Sequence, residues 1–180
     1  MKKIIAFVFS INLLFAYNIN TFNDDVARDI VKIQDILASD KDDRSAELFR
    51  LLNADLDIDL MTRLVLSKHI SELTPDKLAE FKTLFIERLK KDFSTKIDLV
   101  KGSSLKLVDT NYDDKKCQAN MKAVYEEQEK TMNFKFRRIK DECRLYDIEI
   151  LNTSLIASYR AQFLDIIRQS GINALFEKLK

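Results

Sequence analysis

Glycine is nearly absent from this chain: 2 in 180 residues, alongside 1 Pro, 1 His, 2 Cys and no Trp. So few glycines exclude the Gly-rich phosphate loops of the Walker and Rossmann kinds, whose backbone must approach a phosphate closely. The protein therefore hydrolyses no nucleotide through those devices. One histidine and two widely spaced cysteines leave no ordinary zinc cluster. An excess of one charge is missing too, since 30 basic residues face 29 acidic ones. That is not the basic footprint of a nucleic-acid binder. What is present is 46% hydrophobic and 33% charged residues with 12 Phe, the composition of one ordinary globular domain.

Residues 1–16 read MKKIIAFVFSINLLFA. Lys2 and Lys3 precede an apolar run from Ile4 to Ala16, interrupted by Ser10 and Asn12. The run is too short to span a bilayer and ends on a small residue, the pattern of a secretory signal peptide, with an N-terminal anchor as the alternative. The cut is expected after Ala16. No cysteine follows it, so the leader is not of the lipoprotein type. Residues 17–180 are then a single exported domain, and the MKK-type leader places it in a bacterial periplasm.

Along that domain the hydrophobic period changes twice. Asn23-Asp24-Asp25 offers a helix cap before Val26, Ile30, Ile33 and Leu37, which share one helical face. Ser39-Asp40-Lys41-Asp42-Asp43 is a polar break. Helical spacing resumes at Leu48, Leu51 and Leu52, then at Leu60, Leu64 and Ile70. Thr74-Pro75-Asp76 is a helix start, with a capping hydroxyl, a proline whose missing N–H does no harm, and an acid at the positive end. Leu78, Phe81, Phe85, Leu89 and Phe93 follow as a stripe broad enough to bury. From Ser103 to Ile150 the alternation becomes two-fold, in Leu105–Val108, Met121–Tyr125, Met132–Arg137 and Arg144–Ile150. Connections this short predict a four-stranded antiparallel meander, one face apolar and one wet. Beyond Asn152 the helical period returns at Leu155, Ile156, Tyr159, Phe163, Ile166 and Ile167. Gly171 stops that helix, and a last one carries Ile172, Leu175, Phe176 and Leu179. The fold class is α+β: several N-terminal helices, a four-stranded sheet, then C-terminal helices.

Catalytic signals are weak. His69 lies in a helical stretch between Ser67 and Ser71, and neighbours two apart on a helix do not face each other, so no Ser–His pair follows. A surface or capping histidine is expected. Asp55, Asp57 and Asp59 hint at a cation site but lack the glycine and bidentate glutamate of a calcium loop, so a solvated turn is expected. The chain reads as no enzyme, with no cofactor and no metal. Lys135, Arg137, Arg138, Lys140 and Arg144 alternate with Phe134 and Phe136, which would lie on the opposite face; a solvated outer sheet face is expected. Cys117 and Cys143 are even in number in an exported chain, so a disulfide is chemically allowed. Two strand spacings would hold them about 9.6 Å apart, past the roughly 7 Å limit, unless a twisted end closes the gap. Two buried thiols are the alternative.

The C-terminal third carries a resemblance. Arg144-Leu145-Tyr146-Asp147-Ile148-Glu149-Ile150, then Ser154-Leu155, Tyr159-Arg160-Ala161-Gln162-Phe163, Ile166-Ile167-Arg168 and Gly171 resemble the MlaC family. Its pattern there runs "W-R-V-Y-D-V-x-V-E-G-V-S", "Y-R-x-x-F" and "I-I-R-x-x-G". A second block, Asp59, Met61, Val65-Leu66-Ser67, Leu73-Thr74-Pro75, Phe81, Phe85, Leu89 and Phe93, is similar to the family's "VLG…TP…F…F…L…Y" helix pair. The chain departs at Cys143 (Trp in the family), Ser67 (Gly), Phe93 (Tyr) and Asn152-Thr153 (Glu-Gly). Residues 23–54 match weakly.

The resemblance implies a soluble periplasmic phospholipid carrier, a monomer binding no nucleic acid, with an apolar pocket between sheet and helices for the acyl chains. It implies exchange of lipid with an inner-membrane ABC transporter complex bearing an MCE-domain protein, and with an outer-membrane lipoprotein–porin complex, so as to maintain outer-membrane lipid asymmetry. The lining would come from Phe81, Phe85, Leu89, Met121, Phe134, Phe136, Tyr146, Ile148, Ile150, Leu155, Tyr159 and Phe163. The same stripes would serve equally as a filled core, and an exported protein–protein interaction module with a closed core, a periplasmic chaperone or adaptor, is the alternative function.

Overall fold

The computed structural model describes residues 17–39, 43–53, 56–96, 104–125 and 128–180. The expected leader, Asp55 and the centre of the polar break at 40–42 lie outside these residues. Strand β1 (Tyr17–Asn18) precedes helices α1 (Phe22–Ala38), α2 (Arg44–Asn53) and α3 (Ile58–Leu66). A 3-10 helix (Ser67–Glu72) then leads to α4 (Pro75–Lys96). Strands β2 (Ser104–Tyr112), β3 (Lys116–Tyr125), β4 (Gln128–Ile139), β5 (Glu142–Ile150) and β6 (Thr153–Ser154) come next. Helices α5 (Leu155–Ser170) and α6 (Ile172–Leu179) end the chain.

Local chemistry explains most of these boundaries. The Thr74 hydroxyl accepts from the Lys77 amide at 3.3 Å, and Pro75 opens α4. Ser154 caps α5 by accepting from the Ala157 amide at 2.9 Å. Gly171, at φ 80°, ends α5 in a backbone region that other residues avoid. Helix α1 starts one residue before the expected Asn23 cap, at Phe22, because that ring is needed in the core, where it is 1% exposed.

The sheet is antiparallel in the order β1-β5-β4-β3-β2, with β6 also on β5. Among the described residues it has six strands rather than the expected four. The additions are two-residue pieces, too short to show an alternation, and both cover the outer edge of β5. β1 pairs there at Cys143 and Glu142, β6 at Glu149 and Ile150, and between them Leu56 forms a parallel bridge to Leu145. An otherwise open edge is thereby capped along its length.

A bulge divides β5. Phe134 pairs with Ile148 and Lys135 with Asp147, but Phe136 pairs with Leu145, which leaves Tyr146 as an extra residue. The parity of β5 flips at that point. Leu145 and Ile148 therefore share the face of Phe134 and Phe136, whereas Tyr146 packs with the helices.

The sheet also curls. Cys117 on β3 and Cys143 on β5 flank β4, yet their Cα atoms are 6.1 Å apart and their sulfurs form a disulfide. A flat sheet would hold them at about 9.6 Å. Curling brings the outer strands together over the concave face, the exception that the strand-spacing argument left open.

Two main cores result. In the first, α3, α4, α5 and α6 pack around Phe81, Phe85, Val65, Leu66 and Leu175, each fully buried. Phe81, Phe85, Tyr159, Phe163 and Phe176 form a chain of edge and tilted ring contacts with centroids 5.4–6.0 Å apart. The second core lies between α1 and the concave face of the sheet, with Phe22, Val26, Ile30, Cys117, Ala119, Met121, Phe136, Cys143 and Leu145.

Candidate functional site: an apolar cleft under the first helix

The second core leaves a narrow cleft between α1 and the curled sheet, with about 20 Å³ of free space, room for roughly one water molecule. Helix α1 contributes Val26, Asp29, Ile30 and Ile33, which recur at helical spacing on its inner face. The sheet supplies Ala119 and Met121 from β3, Phe134 and Phe136 from β4, and Leu145 from β5, while Tyr17 and Leu52 close the sides. On β3 the buried positions Cys117, Ala119, Met121 and Ala123 alternate with half-buried ones, so a single strand parity sets the floor. Cys117 and Cys143 pack in the same core and tie the floor together.

The polar part of the cleft is concentrated on Asp29, which is 9% exposed. Its carboxylate accepts from the Tyr17 hydroxyl at 3.0 Å and from Lys32 Nζ at 2.7 Å, and Arg28 Nε stands 3.9 Å away. The rest of the lining is aliphatic or aromatic.

Of the residues expected to line a pocket, the structure brings Met121, Phe134 and Phe136 to this cleft. Ile148 packs against the same core, and Ile150 lies at the strand end, 46% exposed. Phe81, Phe85, Leu89, Tyr159 and Phe163 lie in the helical core instead, with Tyr146 and Leu155 packed against it. Periodicity marks a face as buried but not which of two cores it faces. The α1 residues and Leu52 were missed for this site although their helical spacing was plain, because residues 23–54 carry little of the family pattern. Leu145 was missed because the bulge at Tyr146 reverses strand parity.

The charged groups outside the cleft are largely spoken for. Asp57 is not solvated as expected: it is 3% exposed, accepts from the Leu60 amide as the cap of α3, and pairs with Arg137 Nε at 2.6 Å. Asp59 pairs with Lys82 at 2.5 Å, a hydrogen bond that holds its carboxyl below the usual carboxylate range. On the outer face of the sheet Lys135 pairs with Glu149, and Arg144 with Glu142 at 2.8 Å. Arg138 donates to the carbonyls of Asp113 and Lys140. The expected solvated outer face is only partly so: Lys135 and Arg137 are about one-third exposed, and their acidic neighbours Asp147 and Asp57 are buried against α5 and α3. His69 Nδ1 lies 2.7 Å from Glu72 Oε1 and has no serine partner. Among the described residues no group of side chains could hold a metal ion, and no helix is long and apolar enough to cross a membrane.

Tyr159 provides a pH test of the helical core. Burial first, then its hydrogen bond to Asp92 at 2.7 Å, push its hydroxyl far above the ordinary value of 10.0. A phenol whose folded pKa is raised contributes stability fully below the unfolded value and loses it as pH rises beyond that. Urea midpoints should therefore fall between about pH 9 and pH 11, and Tyr159→Phe should flatten much of that slope. Some slope should remain, since burial pushes Tyr146 in the same direction. An unchanged slope in the variant would show that Tyr159 titrates freely.

The family model described as MlaC protein matches residues 20–180. The phospholipid-binding protein from Ralstonia solanacearum, solved in complex with a phospholipid, superposes with a TM-score of 0.70 at 17% identity, covering 91% of this chain and 95% of that one. A de novo designed protein with a curved β-sheet reaches a TM-score of 0.30 at 12% identity over 36% of this chain and 62% of its own, too little to carry an argument. No curated protein sequence matches the chain. The chain is an α+β protein with a helical layer and a curled antiparallel sheet, and it belongs to the MlaC family.

Proposed function

We propose that this protein is a phospholipid carrier of the bacterial periplasm, exported by a leader that is cut after Ala16, leaving 17–180 as one lipid-binding domain. It works as a monomer without catalysis or cofactor, and the phospholipid is its cargo. It takes lipid from or delivers it to an inner-membrane ABC transporter complex with an MCE-domain protein, and exchanges with an outer-membrane lipoprotein–porin complex. Outer-membrane lipid asymmetry is the outcome of that traffic.

The observation that carries this reading is the apolar cleft beneath α1, in a member of the MlaC family. The phospholipid complex of the Ralstonia solanacearum protein, which shares the fold, supports it. Physics supplies the need for a carrier. A diacyl lipid exposes about 30 methylenes, at ~0.8 kcal/mol each, so its passage through water costs about 24 kcal/mol. Ligand pockets commonly span about 300–1,000 Å³, so the cleft as it stands, with about 20 Å³ of free space, is a closed form that must widen to admit acyl chains. An unfilled cavity costs about 24 cal/mol per Å³, so a partly closed empty form and a wider loaded form are expected. Among the described residues α1, with Tyr17 and Leu52, covers the cleft, and none of the five rings clustered in the helical core lines it.

The test is native mass spectrometry of the mature protein purified from cells without detergent. A discrete added mass matching one or a few phospholipids is expected. A clean apo mass at full stability would overturn the carrier reading and favour the interaction module with a closed core.

A further inference from the structure

The cleft is apolar except where Asp29 and the Tyr17 hydroxyl enter its wall. Asp29, 9% exposed beside Val26, Ile30 and Ile33, is held charged in that wall by the Tyr17 hydroxyl and Lys32 Nζ, both of which donate to it. Its cationic neighbours differ from it in exposure. The side chains of Lys32 and Arg28 are 47% and 58% exposed, on the solvent side of α1 next to the cleft, and Arg28 also donates to Asp25 at 2.6 Å, while Asp29 is held in the wall. Tyr17 fixes the carboxylate from the other side: its ring packs edge-on against Phe22 and Phe136, with centroids 5.8 and 5.5 Å away.

We propose that Asp29, with Lys32 and Arg28, is a headgroup site at the mouth of the cleft, selecting phospholipids whose headgroup carries a free primary ammonium. This inference rests on the phospholipid reading above. The two cations meet the phosphodiester and the wall carboxylate accepts from the ammonium, which replaces Lys32 Nζ as its partner. Anion and cation on one turn of α1 match the order of charges in a zwitterionic ethanolamine headgroup. An anionic glycerol headgroup offers its phosphate to the same cations but leaves Asp29 with no incoming cation. Its own charge competes with Asp29 for Lys32 and Arg28. Selection follows from that difference, since hydrogen bonds between ionised partners in a partly dry site are the stronger kind.

The experiment loads the mature protein from vesicles of equal phosphatidylethanolamine and phosphatidylglycerol content. Total lipid per protein and the ratio of the two are read by native mass spectrometry. Wild type should hold the ethanolamine lipid in roughly five- to tenfold excess. Asp29→Asn should retain lipid but bring the ratio to about one. Lys32→Gln should move the ratio the other way, towards more ethanolamine lipid, because Asp29 then lacks its resident cation. Lys32 is half exposed, so that variant keeps the selection testable even if the buried Asp29→Asn folds poorly. Retained lipid with no preference in wild type, or ratios unmoved by both substitutions, would overturn the headgroup site and leave the carrier standing. Absence of lipid from every protein would overturn both.

Discussion

Ala119→Phe is expected to give a folded protein that purifies without lipid. Ala119 is 1% exposed on the floor of the cleft, opposite Phe134 on the neighbouring strand. A benzyl group added there occupies the space that acyl chains would need. Overpacking costs about 1–3 kcal/mol, which a domain of this size can carry while α1 shifts to admit the ring. Phe85→Asp serves as the contrast. Phe85 is fully buried against Phe81, Tyr159 and Phe163 in the helical core. Losing the ring costs about 3–5 kcal/mol, and the new carboxylate has no partner among those rings. That protein should be largely unfolded by circular dichroism, so its loss of lipid would say nothing about the site. If Ala119→Phe instead carries as much lipid as wild type, measured by native mass spectrometry, the cleft beneath α1 is not where the chains lie.

Removing the disulfide is expected to have the next largest effect, this time on stability. Cys117 and Cys143 are 26 residues apart in sequence, and a closed loop of that length is worth about 3.5 kcal/mol in unfolded-chain entropy. For a domain of this size that corresponds to a fall in Tm of roughly 7–14 °C. The double variant Cys117→Ala/Cys143→Ala should show it in a thermal melt, and wild type in reductant should fall by a similar amount. Wild type that melts at the same temperature with and without reductant, with the thiols shown to be free, would mean that the sheet keeps its curl without the clip.

Much of this architecture is legible in the sequence. The helix opened by Thr74-Pro75-Asp76, the stop at Gly171 and the alternation of Met132–Arg137 all rest on short-range chemistry, and the structure places elements there. What the sequence hides depends on long-range geometry. The two-residue strands at Tyr17 and Thr153 exist only because β5 offers them an edge. The bulge at Tyr146 follows from the fit of β5 to β4, and it exchanges the faces of Leu145 and Tyr146. Asp57 looks like a solvated acid in an alternating run until Arg137, eighty positions away, is folded against it. The site is less legible than the fold for the same reason. Phe81 and Phe134 are both apolar and periodic, but only the three-dimensional arrangement puts one in a packed core and the other in the lining of the cleft.

The division into two cores also bears on how such a protein changes over generations. The ring cluster of α4 and α5 can supply most of the margin that keeps the chain folded. Substitutions on the cleft-facing side of α1, away from Phe22 and the Cys117–Cys143 clip, are then judged chiefly by what the cleft holds. The cargo site can drift in shape and charge while the helical half stays recognisable. This is the partition that the sequence displays: strong family pattern from Asp59 onward, and weak pattern across residues 23–54, which include the helix that roofs the cleft.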